Sequence, residues 1–218
     1  KQGIIDRCRR DYSLVNVEFR TEPPDDYVEY SIIELSGKDP NDAGLLGLDN
    51  TTGKDIGNLV FNDIIGGKNA ETRAAGYYAF GGIFLESFLA FSPGLSGGNN
   101  SLASDSFDEV FKYYIEDLGG SPLSSLEYEA NSLNSQAAVG ALSRMVGGTV
   151  VHELGHSLGL AMVPGQSTEF HNPGDNPAYI MDAGVFRPFE ERAEVFGEGP
   201  EIFAPYNLEY LLSILPRD

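Results

Sequence analysis

The three histidines of this 218-residue chain, His152, His156 and His171, fall in one short stretch. Two of them stand within His152-Glu153-Leu154-Gly155-His156. Four residues along a helix is a little over one turn, so both imidazoles leave the same face and can share one cation, while Glu153 points close enough to activate a water. The chemistry of such a set is zinc-dependent hydrolysis. So short a pattern also arises by chance, and three further features add weight to it. It comes late in an amphipathic helical stretch, Gly159 follows it, and residues 181–184 read Met-Asp-Ala-Gly.

On these residues the chain resembles the metzincin zinc peptidases, whose extended pattern is H-E-x-x-H-x-x-G-x-x-H with a later methionine turn. The matching positions are His152, Glu153, His156, Gly159 and, for the turn, Met181. The resemblance runs from the long helix to the turn, and the N-terminal half is only compatible with it. It implies that Gly159, lacking a Cβ, ends the helix in a left-handed bend that brings the chain back toward the metal. It implies that Met181 is a hydrophobic floor beneath the zinc. The implied fold is an α+β, metzincin-like zincin with an N-terminal mixed twisted sheet, a central active-site helix and a C-terminal subdomain ending in a helix. The implied activity is that of an endopeptidase: zinc lowers the pKa of a water and polarises the carbonyl, and Glu153 acts as general base before passing the proton to the leaving amine. The peptide is expected to lie extended along a sheet edge, for which residues 80–91 are the candidate.

The chain departs from that pattern at the third ligand, where Met162 stands in place of the last histidine. A thioether is a poor ligand for Zn²⁺. His171 is the candidate instead, with residues 162–170 looping out before it. Asp175 and Glu169 in the same loop are backups, and a gluzincin-type plan would draw a glutamate from Glu190, Glu191 or Glu194. Two other classes remain open: a catalytically inactive binding module, which Met162 favours, and a structural site with Asp175 as fourth ligand. Retention of Glu153 argues against both, because neither needs a general base. Tyr179 and Tyr206 are candidate donors to the developing oxyanion, although packing is the simpler account of any one tyrosine among 11.

The elements that must position these residues follow from periodicity. Ala138, Leu142, Val146, Val150, Leu154 and Leu158 recur every four residues, which predicts a helix over 135–158 with the histidines roughly opposite that line and Gly147-Gly148 as its weak point. Phe107, Val110, Phe111, Tyr114, Ile115 and Leu118 predict a second helix capped by Asp105. Alternation in 13–20 and around Val28, Tyr30 and Ile32 predicts two strands joined through Pro23-Pro24-Asp25-Asp26, and 58–65 a third. Irregular loop is expected from 161 to 188, then a short helix over 189–196 and a last one from about Asn207.

Length and composition fit a single catalytic domain over 1–218, with lobes at about 1–160 and 161–218. A net charge of −19 with only 14 Lys and Arg excludes a nucleic-acid surface, and no stretch is apolar enough to span a bilayer. The expected partner is a protein or peptide substrate, the expected state a monomer, and the expected location secreted or exposed at the cell envelope. Asp39, Asn41, Asp42, Asp49, Asn50 and Asp55 raise a secondary expectation of Ca²⁺, but the EF-hand spacing fails and turn formation explains them more simply. The single cysteine, Cys8, excludes an internal disulfide. Flanked by Arg7 and Arg9, it invites comparison with the cysteine switch of some metzincin precursors; an inert thiol is the simpler account.

Overall fold

The computed structural model describes residues 1–53, 61–68, 78–97, 100–129, 133–160 and 169–215. Helix α5, Leu133–Ser157, is its axis. Every residue from 145 to 155 is buried, as expected of a helix covered on all sides rather than on one stripe. The apolar line read from the sequence packs inward except at Leu142, which is 44% exposed.

Gly147-Gly148 does not break this helix. A Cβ on Gly147 would stand 2.7 Å from Cγ of Arg7, and one on Gly148 would stand 3.0 Å from Oε2 of Glu201. The pair is therefore a seat for α1, Gln2–Asp11, an element the sequence reading missed. Cys8 and Tyr12 are buried on this side. The Cys8 thiol donates to the Gly147 carbonyl at 3.9 Å, and burial pushes it up to about 12, the state of an inert thiol.

The strands form small sheets. β1, Ile32–Ile33, pairs in parallel with β4, Ile64–Ile65. β6, Phe80–Phe84, pairs in parallel with β2, Leu35–Ser36, and antiparallel with β3, Gly47–Leu48, and β5, Gly67–Lys68. The fold is thus α+β with mixed strand directions. Two sequence expectations are corrected. Residues 13–20 keep the alternation, with Val15, Val17 and Phe19 half-buried, but pair with no strand among the described residues. Of the expected second strand only its end, Ile32, enters a sheet, as the start of β1, and Val28 is 98% exposed. The expected strand at 58–65 is described only from 61 onward.

After β6 the chain turns into 3₁₀ helix over Leu85–Phe91, and then α2, Pro93–Ser96. α3, Asp105–Phe111, is capped by Ser104, not Asp105, and gives way to 3₁₀ turns, so the expected helix is shorter than its apolar spacing. α4 is Ser125–Glu129. α6, Phe189–Ala193, stops at Glu194, and α7 is Pro205–Ile214. Phe91, Phe107, Phe111 and Phe189 meet in one aromatic cluster that fastens α6 to α3. One hydrophobic core draws residues from both proposed lobes, from Cys8 through Ile83 and Val150 to Leu211. Among the described residues no helix is long and apolar enough to cross a membrane.

Candidate metal centre

One turn of α5 carries His152, Glu153 and His156. Nδ1 of His152 donates to the Ile180 carbonyl at 2.6 Å, and Nδ1 of His156 to the Leu160 carbonyl at 3.1 Å. With the proton fixed on Nδ1, each ring keeps its Nε2 lone pair free. The two Nε2 atoms face one another at 3.1 Å. Two acceptors with no proton between them repel, and a cation is what reconciles them. His171 completes the group, its ligand atom and the other two all lying within 4.8 Å of one another. Its ring lies nearly parallel to that of His152, with centroids 5.3 Å apart.

All three imidazoles are held below the usual histidine range. For His152 the cause is burial, then the neighbouring His156 and the Arg187 guanidinium. Burial and His171 press His156 down to about 3, and burial lowers His171. Neutral rings are the form in which histidine binds metals. The cluster can therefore hold a metal ion, and it is the only such group among the described residues.

Gly159 makes the geometry possible. Its φ of 93° lies in the left-handed region that favours glycine. The bend lets Gly159 N–H donate to His156 O and Leu160 N–H to Gly155 O, both at 2.8 Å, closing the helix and bringing the Leu160 carbonyl back to His156. Met181 is 1% exposed, and its Sδ lies 2.7 Å from where a Cβ on Gly155 would be. It packs beneath the turn that carries both histidines.

His171 is brought back by a polar clip that the sequence reading missed. Asn172 N–H donates to the Met181 carbonyl at 2.9 Å, and its side-chain amide donates to Oδ1 of the fully buried Asp182 at 2.9 Å. The other Asp182 oxygen accepts from Asn176 N–H at 2.7 Å. Tyr206 donates its hydroxyl to Asn172 Oδ1 at 2.5 Å, and Tyr179 bridges to Ile202; neither lines the cleft over the histidines.

That cleft, about 470 Å³ in volume, is walled by residues 44–49, Leu102, Phe170, Ala183, Gly184 and Val185, with Glu153, Arg187 and Arg192 among its lining. Glu153 is buried, and its Oε2 accepts from Asp49 N–H at 2.7 Å. Burial, then the Asp49 charge, raises it to about 8. The segment that includes β3, not residues 80–91, borders the cleft, because β6 is paired on both sides.

The remaining candidates lie elsewhere. Glu169 and Asp175 are exposed and outside the histidine group. Glu190 accepts from the Ser104 hydroxyl, Glu191 from Ala178 N–H, and Glu194 from Arg7 and Arg10. Met162 and Asp55 lie outside the described residues. Asp39 accepts from the N–H groups of Asn41, Ala43 and Leu45, so it organises a turn. Behind His152, Arg187 is gripped by Glu201, which also accepts from Arg7. No signal in the sequence marked this network. Family models, curated proteins and solved structures give no match to the chain.

Proposed function

We propose that this protein is a zinc-dependent endopeptidase of metzincin type, with His152, His156 and His171 as ligands and Glu153 as general base. The observation that carries the reading is the pair of free Nε2 atoms 3.1 Å apart, with both Nδ1 protons committed to carbonyls and Glu153 in the cleft beside them. Ligand atoms in a tetrahedral site with Zn–N near 2.0–2.1 Å stand about 3.3 Å apart, which fits that pair. A zinc ion held there would supply Lewis-acid polarisation of the scissile carbonyl and activation of a water.

The chain's own groups do the rest. Asp49 N–H holds Oε2 of Glu153, which leaves Oε1 over Gly47; a cation on the neighbouring histidines would offset the burial that raises Glu153 and favour the carboxylate that takes the proton from the attacking water. As the water oxygen bonds to the carbonyl carbon and the C–N bond breaks, Glu153 returns that proton to the departing amine. Arg187, anchored by Glu201, keeps positive charge beside His152 and so keeps the ring neutral. Met181 supplies an apolar floor.

Metal analysis together with cleavage of casein tests the reading. Wild type is expected to hold one zinc and to cleave, and His171→Ala to lose both. A protein that takes up no zinc when it is supplied would contradict the proposal.

A further inference from the structure

Among the described residues three arginines are buried to within 3% of full occlusion: Arg7, Arg187 and Arg192. Arg7 is paired with Asp11, Glu194 and Glu201, and Arg187 with Glu201. Arg192 makes no ion pair among the described residues. Its Nε donates to the Arg187 carbonyl at 2.8 Å and its Nη2 to the Gly184 carbonyl at 3.2 Å, and the guanidinium stands 5.8 Å from the Phe91 ring centre. These contacts orient the group and leave its charge without a counterion. An isolated buried charge is costly, and this one lines the cleft that holds Glu153 and the three histidines.

We propose that Arg192 anchors a carboxylate of the substrate, so that the cleft takes peptides with an aspartate or glutamate close to the scissile bond. The inference rests on the peptidase reading of the same cleft. A planar guanidinium whose other nitrogens are already fixed is preorganised for a carboxylate, and such charge-assisted hydrogen bonds are among the strong ones. Burial, then Arg187, presses Arg192 down to about 9, which leaves it protonated at neutral pH. The carboxylates nearest in effect, Glu201, Glu191 and Glu153, act on it only through space. Apolar walls at Leu45, Leu46, Leu102 and Val185 suit the methylenes of an acidic side chain. With the protein at −19, an acidic ligand is repelled at long range, so contact with a local cation must decide its recognition.

The test compares two zinc-anchoring ligands on the zinc-loaded protein by calorimetry: N-acetyl-glutamyl hydroxamate and its glutaminyl counterpart, with the aspartyl and asparaginyl pair alongside. In parallel, casein fragments are sequenced. At least one acidic ligand is expected to bind about tenfold tighter than its amide. That preference should vanish in Arg192→Gln and survive in Arg192→Lys, and casein cuts should cluster beside Asp or Glu. Equal binding of acid and amide by wild type, which needs no variant, overturns the inference. Casein cleavage with no such preference would remove the inference and leave the peptidase reading. Preference for the acid without any cleavage would do the reverse.

Discussion

Arg187 and Glu201 form a two-pronged ion pair out of solvent, with Nε to Oε1 at 2.6 Å and Nη2 to Oε2 at 2.8 Å. The third nitrogen, Nη1, lies 3.1 Å from Nδ1 of His152. That Nδ1 already donates to the Ile180 carbonyl, so Arg187 meets it as a charge and not as a hydrogen-bond partner. Glu201 also accepts from Arg7 at 2.8 Å. A continuous buried network therefore joins the N-terminal helix to the ring of a candidate metal ligand.

Removing the centre of this network leaves the buried Arg187 guanidinium without its ion-pair partner, while Arg7 keeps Asp11 and Glu194. Glu201→Gln is expected to lower stability by about 3–5 kcal/mol, read from urea unfolding. A loss below about 1 kcal/mol would mean that water or other carboxylates replace Glu201 readily.

The same residue sets a pH dependence. Arg187 and then Arg7 hold the Glu201 carboxyl down to about 2 against an ordinary 4.5, overcoming the opposite push of burial. A carboxylate with a depressed folded-state pKa contributes stability above its unfolded value and loses it as pH falls through the folded one. Its share, about 3 kcal/mol, should be complete above pH ~5 and fade between about 4.5 and 2. The stability gap between wild type and Glu201→Gln should accordingly close on acidification. A gap constant from pH 6 to pH 2 would contradict it.

The histidine pair, the long helix and the glycine that ends it were legible because each depends on local spacing: four residues place two rings on one turn, and a left-handed bend demands Gly159. His171 could be nominated but not located, because its position depends on the Asn172–Asp182 clip, a contact between residues ordinary in any loop. α1 was invisible for a different reason. Its segment is mostly polar, and it docks on α5 because Gly147 and Gly148 leave room for Arg7. Strands of two residues, such as β3, carry no usable alternation, so the sheet edge expected for a peptide was placed at residues 80–91, whose strand β6 is paired on both sides.

Asp182 tests the clip. Asp182→Ala strands the buried Asn172 amide and the Asn176 N–H, which costs about 1–3 kcal/mol, and it frees the segment carrying His171. Zinc affinity is expected to fall about tenfold or more, measured by competition with a chelator. Unchanged affinity would show that His171 is positioned without the clip.

Met181 separates a floor from a ligand. Met181→Leu conserves volume and is expected to keep one zinc per chain with a loss below about 1.5 kcal/mol. Met181→Ala opens a cavity beneath Gly155 and should cost about 2–5 kcal/mol. Loss of zinc in the leucine variant would assign the sulfur to the metal.

The most direct measurement pairs zinc content with casein cleavage in wild type and Glu153→Gln. The substitution keeps the shape of the side chain and its contact with Asp49 N–H while removing the base. Glu153 as general base predicts one zinc in both proteins and a rate lower by about 10²–10⁴ in the variant. Equal cleavage by the two would contradict it, as would a wild type that binds zinc and cleaves nothing.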